Sequence, residues 1–341
     1  MRVSRRIIVY IPYRKGVRTA NSNEYLPKMI EILEEKYDVT GELASPLNFL
    51  TMLKTKAVFL NYVEETGLSL GMKAQILMHK VFGAEIIWAF QNKYPHDAIQ
   101  NKVSTGNMNW LSRYSDKIML HSRSSRKYIP NALRNGKKAV YVPHILYDSH
   151  GVSTGMEILK TKYGIQEEDF VFTIFGVVRP YKKIENGIEA FRKIKAKNAK
   201  LLIAGAPVDV RYARKIKAMC KNEQNIILDM NYLSDMKLDI IIDISDVILL
   251  PYKNKSSANS GVMIHSFSRG KTVIAPDICM AIDFAPYHFF YMYRNSLEEV
   301  MQRAYENGKD YNRHMGLRAK KYIERNNNRE VVKRHIYDML K

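Results

Sequence analysis

The sequence predicts an α/β protein made of two doubly wound domains, each with a parallel sheet. Three observations carry this. The chain has 341 residues, more than a single hydrophobic core comfortably serves. Short runs that are apolar throughout alternate with longer amphipathic segments, as buried parallel strands and their covering helices do. The alternation comes in two series, separated near 147–154 by a stretch where Asp148, Ser149, His150 and Gly151 cluster.

In the first series 7–11 reads as a strand, and 24–37 as a helix with Leu26, Ile30, Leu33 and Tyr37 on one face. Strands at 57–61, 85–90, 117–121 and 139–142 then alternate with helices over 68–82, 99–114 and 125–133. In the second series strands at 170–175, 200–204, 225–228, 247–250 and 272–275 alternate with helices over 184–196, 210–220, 235–244 and 261–269. From Ser296 on the chain is mostly helical and strongly charged, with a polar break at Asn326, Asn327 and Asn328. This gives a first domain over 1–150, a second over 151–325, and a terminal helix over 326–341 expected to pack back on the first. Ligands of doubly wound sheets sit beyond the carboxyl ends of strands, so the loops to inspect follow Phe90, His121, Phe175, Ala204 and Leu250.

Composition narrows the function classes. Hydrophobic residues make up 46% and charged residues 26%, an ordinary globular balance that argues against disorder. Two cysteines, Cys220 and Cys279, lie far apart in apolar or helical surroundings, so a disulfide framework is not expected and a reducing compartment fits. The apolar run 7–11 is too short for a signal-peptide core and no small-residue cleavage site follows it. No apolar stretch reaches spanning length, so no transmembrane helix is expected. The formal net charge is +20. Residues 1–150 carry 22 Lys+Arg against 12 Asp+Glu and the remainder 32 against 22, so each part has the same excess. Such a chain is drawn to phosphates, anionic lipid or nucleic acid. Without a clustered basic element or a recognisable module, nucleic acid is not the expected partner. No Gly-x-Gly-x-x-Gly follows a strand, which argues against a dinucleotide-dependent oxidoreductase.

Two loops in the second series carry chemistry. After Phe175 the chain reads Gly176-Val177-Val178-Arg179-Pro180-Tyr181-Lys182-Lys183 and enters a helix. A glycine permits a tight turn, and Arg and Lys projecting from it can neutralise a diphosphate. A solvated helix start fits the same residues equally well. After Leu250 the chain reads Pro251-Tyr252, then a polar stretch ending Asn259-Ser260-Gly261, then a helix. Small polar residues there cap the helix, and its free amides and dipole form an anion site. Taken alone this loop is an ordinary cap. Together the two can face one crevice.

At these residues the chain resembles glycosyltransferase family 4 and its GT-B relatives. The matching elements are Phe175-Gly176 with Arg179-Pro180-Tyr181-Lys182, then Leu201-Leu202-Ile203-Ala204-Gly205, then Asp246-Val247 with Leu250-Pro251-Tyr252, then Asn259-Ser260-Gly261, and Gly270-Lys271-Thr272-Val273-Ile274-Ala275. Each is weak alone; their order and spacing over 170–276 are specific. A thinner match runs through the first half: Trp88-Ala89-Phe90-Gln91-Asn92 with Pro95-His96, then Asn61-Tyr62-Val63-Glu64, and His121-Ser122. There are two departures. Where many relatives carry paired glutamates eight positions apart, this chain has Ser257 and His265, and where they carry a histidine it has Gln91. Glutamine can donate and accept hydrogen bonds but cannot titrate.

The resemblance implies a GT-B fold, two Rossmann-like domains with parallel sheets facing across a cleft. It implies sugar transfer from a nucleotide-diphosphate sugar to a glycan or lipid-linked saccharide, as in bacterial surface polysaccharide synthesis, with retention and without a metal. Arg179 and Lys182 would stabilise charge on the leaving diphosphate, with Gln91 and His96 near the reacting centre. Gly176, Tyr252, Asn259, Ser260, Gly261 and His265 would hold the donor. Arg14, Gly16, Arg18 and Asn92 would meet the acceptor. No cofactor and no resident metal are expected, and no convincing Asp-x-Asp loop is present. The expected location is cytoplasmic, at the inner face of the plasma membrane, with peripheral contact to anionic lipid. The alternative is a degenerate GT-B protein that binds nucleotide or glycan without turnover.

Overall fold

The computed structural model describes residues 6–10, 24–43, 49–66, 68–93, 101–131, 135–148, 155–252 and 257–341. They fall into two compact units. The first comprises Met1–Ile145, Ser256–Asn259 and Asn327–Lys341; the second comprises Leu146–Lys255 and Ser260–Asn326.

The first unit is built on six parallel strands: β1 (Arg6–Tyr10), β2 (Asp38–Thr40), β3 (Thr55–Asn61), β4 (Glu85–Phe90), β5 (Lys117–Leu120) and β6 (Ala139–Tyr141). They lie in the order β2-β1-β3-β4-β5-β6. The register sets Val58 opposite both Ile8 and Ile86, and all three are fully buried. Trp88, Phe90 and Leu111 extend this core. The helix Tyr25–Glu34 buries Leu26, Ile30 and Leu33 of the predicted apolar face, together with Met29; it ends before Tyr37, which is half-buried. The terminal helix Arg329–Met339 belongs to this unit. It buries Val332 and Ile336 and bonds Tyr337 Oη to the Ile32 carbonyl at 2.8 Å. Its Arg329 pairs with Glu31 and Glu35.

The short helices Phe49–Lys54 and Val63–Thr66 were not predicted, and two further elements of this unit differ from the sequence reading. Strand β2 has three residues, none of them buried, and so shows no apolar run to read. The helix expected over 125–133 is a 3-10 turn over Arg123–Tyr128. Adjacent serines favour local hydrogen bonds over helix, as Ser125 Oγ shows by donating to the Ser122 carbonyl at 2.6 Å. Pro130 cannot continue a helix.

The second unit has β7 (Phe170–Phe175), β8 (Ala199–Ala204), β9 (Ile226–Asp229), β10 (Val247–Leu249), β11 (Thr272–Pro276) and β12 (Tyr291–Tyr293). Their order is β12-β11-β10-β7-β8-β9, again all parallel. Strand β7 is buried along its whole length, as its unbroken apolar sequence requires. The helix Ile184–Lys193 buries Ile184, Ile188 and Phe191 against it and keeps Glu189, Arg192 and Lys193 outward. The short helices Met156–Tyr163 and Cys279–Phe284, and strand β12, were not legible in the sequence. No helix of the described residues is long and apolar enough to cross a membrane.

Candidate functional site

In the second unit the chain leaves β7 and moves to β8 on one side, while β10, β11 and β12 extend the other. The strand order therefore reverses between β7 and β10, where a ligand crevice opens in such sheets. The two loops singled out in the sequence leave these two neighbouring strands.

The loop after β7 is shaped by backbone packing. Gly176 has φ +88° and Gly205, at the end of β8, has φ +143°, both in the region glycine tolerates. A Cβ on Gly205 would lie 2.2 Å from the Gly176 carbonyl oxygen. The two turns then bond, Gly176 N–H to the Ala204 carbonyl at 3.0 Å and Val178 N–H to the Ala206 carbonyl at 2.9 Å. Beyond them a 3-10 turn over Pro180–Lys182 folds Lys182 back over the loop. Its Nζ donates to the Phe175 carbonyl at 2.9 Å and lies 2.9 Å from where a Cβ on Gly176 would be, so a side chain there would push Lys182 aside as well as strain the backbone.

Lys182 is 5% exposed. Burial, with the neighbouring charge of Arg179, lowers its pKa to about 7. One carbonyl uses one of its three donors, which leaves capacity for an anion. Arg179 is exposed, and its side chain makes no hydrogen bond or ion pair among the described residues. Two basic side chains thus stand at the carboxyl end of β7, neither paired with a carboxylate among the described residues.

The loop after β10 is held from inside. Tyr293 Oη donates toward the Leu250 and Tyr252 carbonyls, each at 3.0 Å. Tyr252 is buried, its hydroxyl is bonded to Ser260, and burial pushes its pKa upward. Ser260 caps the helix Gly261–Ser268, its Oγ accepting from Met263 N–H at 3.3 Å. A Cβ on Gly261 would lie 2.6 Å from Tyr147 Oη, which explains the glycine at the first helical position. One turn on, His265 is buried and directs Nε2 to Asp239 Oδ1 at 3.1 Å. The other oxygen of Asp239 faces Arg269 Nη1 at 3.3 Å, and Arg269 also pairs with Asp243. Asp239 is fully buried and was not foreseen; nothing local in its helix sequence marks it.

In the first unit the end of β4 is held by side chains. Glu64, fully buried after β3, accepts at Oε1 from Trp88 Nε1–H at 3.1 Å and from the Gln91 backbone N–H at 2.9 Å. Asn92 bridges to Ser257, and Ala258 N–H reaches the Gln91 carbonyl at 3.4 Å. Asn259 Nδ2 donates to the Phe90 carbonyl at 3.3 Å and toward Gln91 Oε1 at 3.4 Å. Of the predicted run Asn259-Ser260-Gly261, Asn259 therefore belongs to the first unit and the other two to the second. His121, at the end of β5, bonds Tyr25 Oη at 2.6 Å and the Val142 carbonyl at 2.8 Å. Its ring lies 5.3 Å from that of His144, tilted by 60°, and burial lowers the two pKa values to about 3 and about 4. Both rings are neutral parts of the core. His96, Arg14, Gly16 and Arg18 lie outside the described residues. Among the described residues no three His, Cys, Asp or Glu side chains are placed to hold a metal ion.

Residues 155–321 match the family described as glycosyl transferases group 1. In fold the chain is similar to GT-B glycosyltransferases. Both sheets recur in solved structures. That of Anabaena Alr3699/HepE in complex with UDP and glucose superposes with a TM-score of 0.73 at 11% identity, covering 98% of this chain and 99% of that one. A glycosyltransferase from Rickettsia africae gives 0.71 at 14% identity, covering 99% and 98%. In sequence, a GDP-mannose:glycolipid 4-beta-D-mannosyltransferase of Xanthomonas campestris is 26% identical over 102 residues. That match spans 30% of this chain and 29% of the relative's length.

Proposed function

We propose that this glycosyltransferase moves a sugar from a nucleotide-diphosphate donor to a glycan or lipid-linked saccharide, with retention and without a metal. We also infer a family 4-like active site and a role in bacterial surface polysaccharide synthesis at the inner face of the plasma membrane. The observation that carries the donor reading is Lys182, a buried ammonium with unused donors, set beside Arg179 at the strand-order reversal. Positioned cations and helix N-terminal amides stabilise a leaving diphosphate most as its bond breaks. Arg179, Lys182 and the Ser260-Gly261 helix start supply these groups. Tyr252 and His265, both buried, would act on the donor by holding that helix start, His265 through its bond to Asp239. Gln91 and Asn92 would border the acceptor, as would Arg14, Gly16 and Arg18 after β1, with His96 after β4.

The glycolipid in the relative's name supports a lipid-linked acceptor for this chain. Its β-mannoside product makes the anomeric course a direct measurement. A β-linked product from an α-linked donor would replace retention with inversion.

The test is thermal stability against a panel of nucleoside diphosphates and nucleotide sugars, beside an Arg179→Ala/Lys182→Ala variant. Ligand at about a hundred times its Kd should stabilise the protein by roughly 2.7 kcal/mol. One series is expected to stabilise the wild type and not the variant. A folded protein that responds to no nucleotide, with or without acceptor, would overturn the donor site. Binding with no transfer to any glycan or lipid-linked acceptor would favour the degenerate binder.

A further inference from the structure

We propose that the short helix Phe49–Lys54 of the first unit is a docking surface for anionic lipid, entered by its outward apolar side chains and held at the headgroups by neighbouring lysines. The helix runs without a break into β3, and Thr55 Oγ1 donates back to the Thr51 carbonyl at 2.9 Å. Met52 is fully buried and fixes which side of the helix faces the core. Phe49, Leu50 and Leu53 are left on the other side, 52%, 59% and 56% exposed. A surface helix ordinarily turns its large apolar residues inward and its polar ones out. Here that arrangement is reversed.

The apolar surface continues beyond the helix. Leu53 and Lys56 line one groove with Phe82, which follows the helix Leu70–Val81, and Val81 is largely exposed. The groove lies at the amino ends of β3 and β4, where Thr55 and Glu85 begin the two strands. Ligands of such sheets bind beyond the opposite, carboxyl ends, so substrate binding does not account for this surface. A contiguous exposed apolar patch marks an interaction site.

Size and charge select the partner. These side chains expose on the order of a few hundred Å2, against the roughly 800 Å2 per partner that a stable protein interface buries. A bilayer demands no matching surface. Apolar side chains on one side of a helix sink to the boundary between headgroups and acyl chains, and flanking lysines meet the phosphates. Lys54 ends the helix and is exposed, and Lys56 lines the groove. Neither side chain makes a hydrogen bond or an ion pair among the described residues. Glu85, the carboxylate of the groove, pairs with Lys117 through one oxygen and buries the other. The charge left at the patch is therefore positive and complements anionic lipid. The net charge of +20 attracts the whole chain to such lipid without choosing a face; the apolar side chains assign the contact to this helix. The surface rests on the membrane location proposed above, whereas lipid binding itself does not depend on sugar transfer.

The experiment is co-sedimentation of the full chain with vesicles of phosphatidylcholine alone and of phosphatidylcholine mixed with phosphatidylglycerol. Binding is expected to the mixed vesicles and to be weaker by about tenfold or more to the neutral ones. Leu50→Ser/Leu53→Ser, which changes no charge, is expected to weaken binding by about tenfold or more. Lys54→Gln/Lys56→Gln should weaken it to a similar extent and lower its salt dependence. Ile158→Ser, at an exposed apolar residue of the second unit, should change nothing. The emission of Phe49→Trp should shift to the blue on vesicles and be quenched by brominated lipid. Thermal stability with and without nucleotide should match the wild type in both double variants, which reads the fold and the donor site separately. Anionic-vesicle binding that Leu50→Ser/Leu53→Ser retains in full would overturn this surface and leave the membrane location standing. No binding of the folded wild type to anionic vesicles would overturn both. Self-association lost in the same variant, without vesicle binding, would give the face to a second copy of the chain and overturn the lipid assignment.

Discussion

The loop after β7 is shaped by glycines and the loop after β4 by side chains, although both leave parallel sheets of the same construction. In the second unit Gly176 and Gly205 bring two backbones into contact, and Lys182 lies over them. In the first unit a buried carboxylate, Glu64, ties Trp88 to Gln91 across the end of β4. Asn107 ties the adjoining chain, donating to the Val63 carbonyl at 2.6 Å and accepting from Leu68 N–H at 3.3 Å. The difference teaches that a shared sheet decides where ligands meet the chain, while the support beneath each loop decides how rigidly and with what charge. A backbone-built loop should fail sharply when a methyl group is added. A loop built on side chains should yield in smaller steps.

The largest expected effect follows from the glycine contact. Gly205→Ala would place a Cβ at 2.2 Å from a carbonyl oxygen, in a conformation that other residues rarely adopt. A loss of about 4 kcal/mol or more is expected, since backbone has to move. Denaturant unfolding measures it. The control is Gly106→Ala in the helix Asn101–Tyr114 of the first unit, where nothing lies within 4 Å of the added Cβ. That change should stabilise by up to about 1 kcal/mol. Equal effects at the two glycines would break the comparison.

Next comes acid. His121 and His144 stay neutral in the fold, with pKa values of about 3 and about 4, whereas in the unfolded chain they take a proton near 6.5. The unfolded state therefore binds more protons below pH 6.5, and stability falls as pH drops toward 4. Each histidine contributes up to about 1.4 kcal/mol per pH unit. Unfolding followed at pH 7, 5.5 and 4.5 should show this steep loss, and His121→Asn/His144→Asn should flatten it. Parallel profiles for the two proteins would sink the assignment of both rings to the core.

Lys182 gives the second unit a dependence of the same direction in a higher pH window. Its pKa of about 7 in the free protein lies below that of an exposed lysine, so between about pH 7 and 10.5 the unfolded chain holds the extra proton and stability rises with pH. Diphosphate binding needs the protonated form. Affinity should therefore fall above pH 7, by up to about tenfold per pH unit. Calorimetric titrations at pH 7, 8 and 9 test this, and Lys182→Met should bind weakly with no such slope. A flat wild-type profile would mean that Lys182 does not meet the anion.

The smallest effect is expected at Glu64→Gln. The amide oxygen can still accept from Trp88 and Gln91, but the charge that strengthens both bonds is gone. A loss of about 1–3 kcal/mol is expected. Trp88→Phe, which removes one of the two donors, should lie within the same range. A loss at Glu64 as large as that at Gly205 would show that the first unit's loop is as unyielding as the second's.

The sequence alone was enough for the alternation of apolar runs and amphipathic segments, and with it two parallel sheets, because burial on both faces leaves a mark in every strand. It was enough for Gly176, since a tight turn after β7 demands glycine, while Gly205 and Gly261 were marked through the family resemblance. It was also enough for Arg179 and Lys182 as candidate phosphate ligands, through their place after β7. Only the tertiary structure decided that Lys182 is buried and Arg179 is not, that Tyr252 turns inward to Ser260, and that His265 is bound to Asp239. It also decided that Asn259 sits with β4 while Ser260 starts a helix of the other unit. Each of these is a contact between residues distant in the chain, and neither periodicity nor local propensity records such pairs. Burial of a polar side chain depends on what the rest of the fold brings over it.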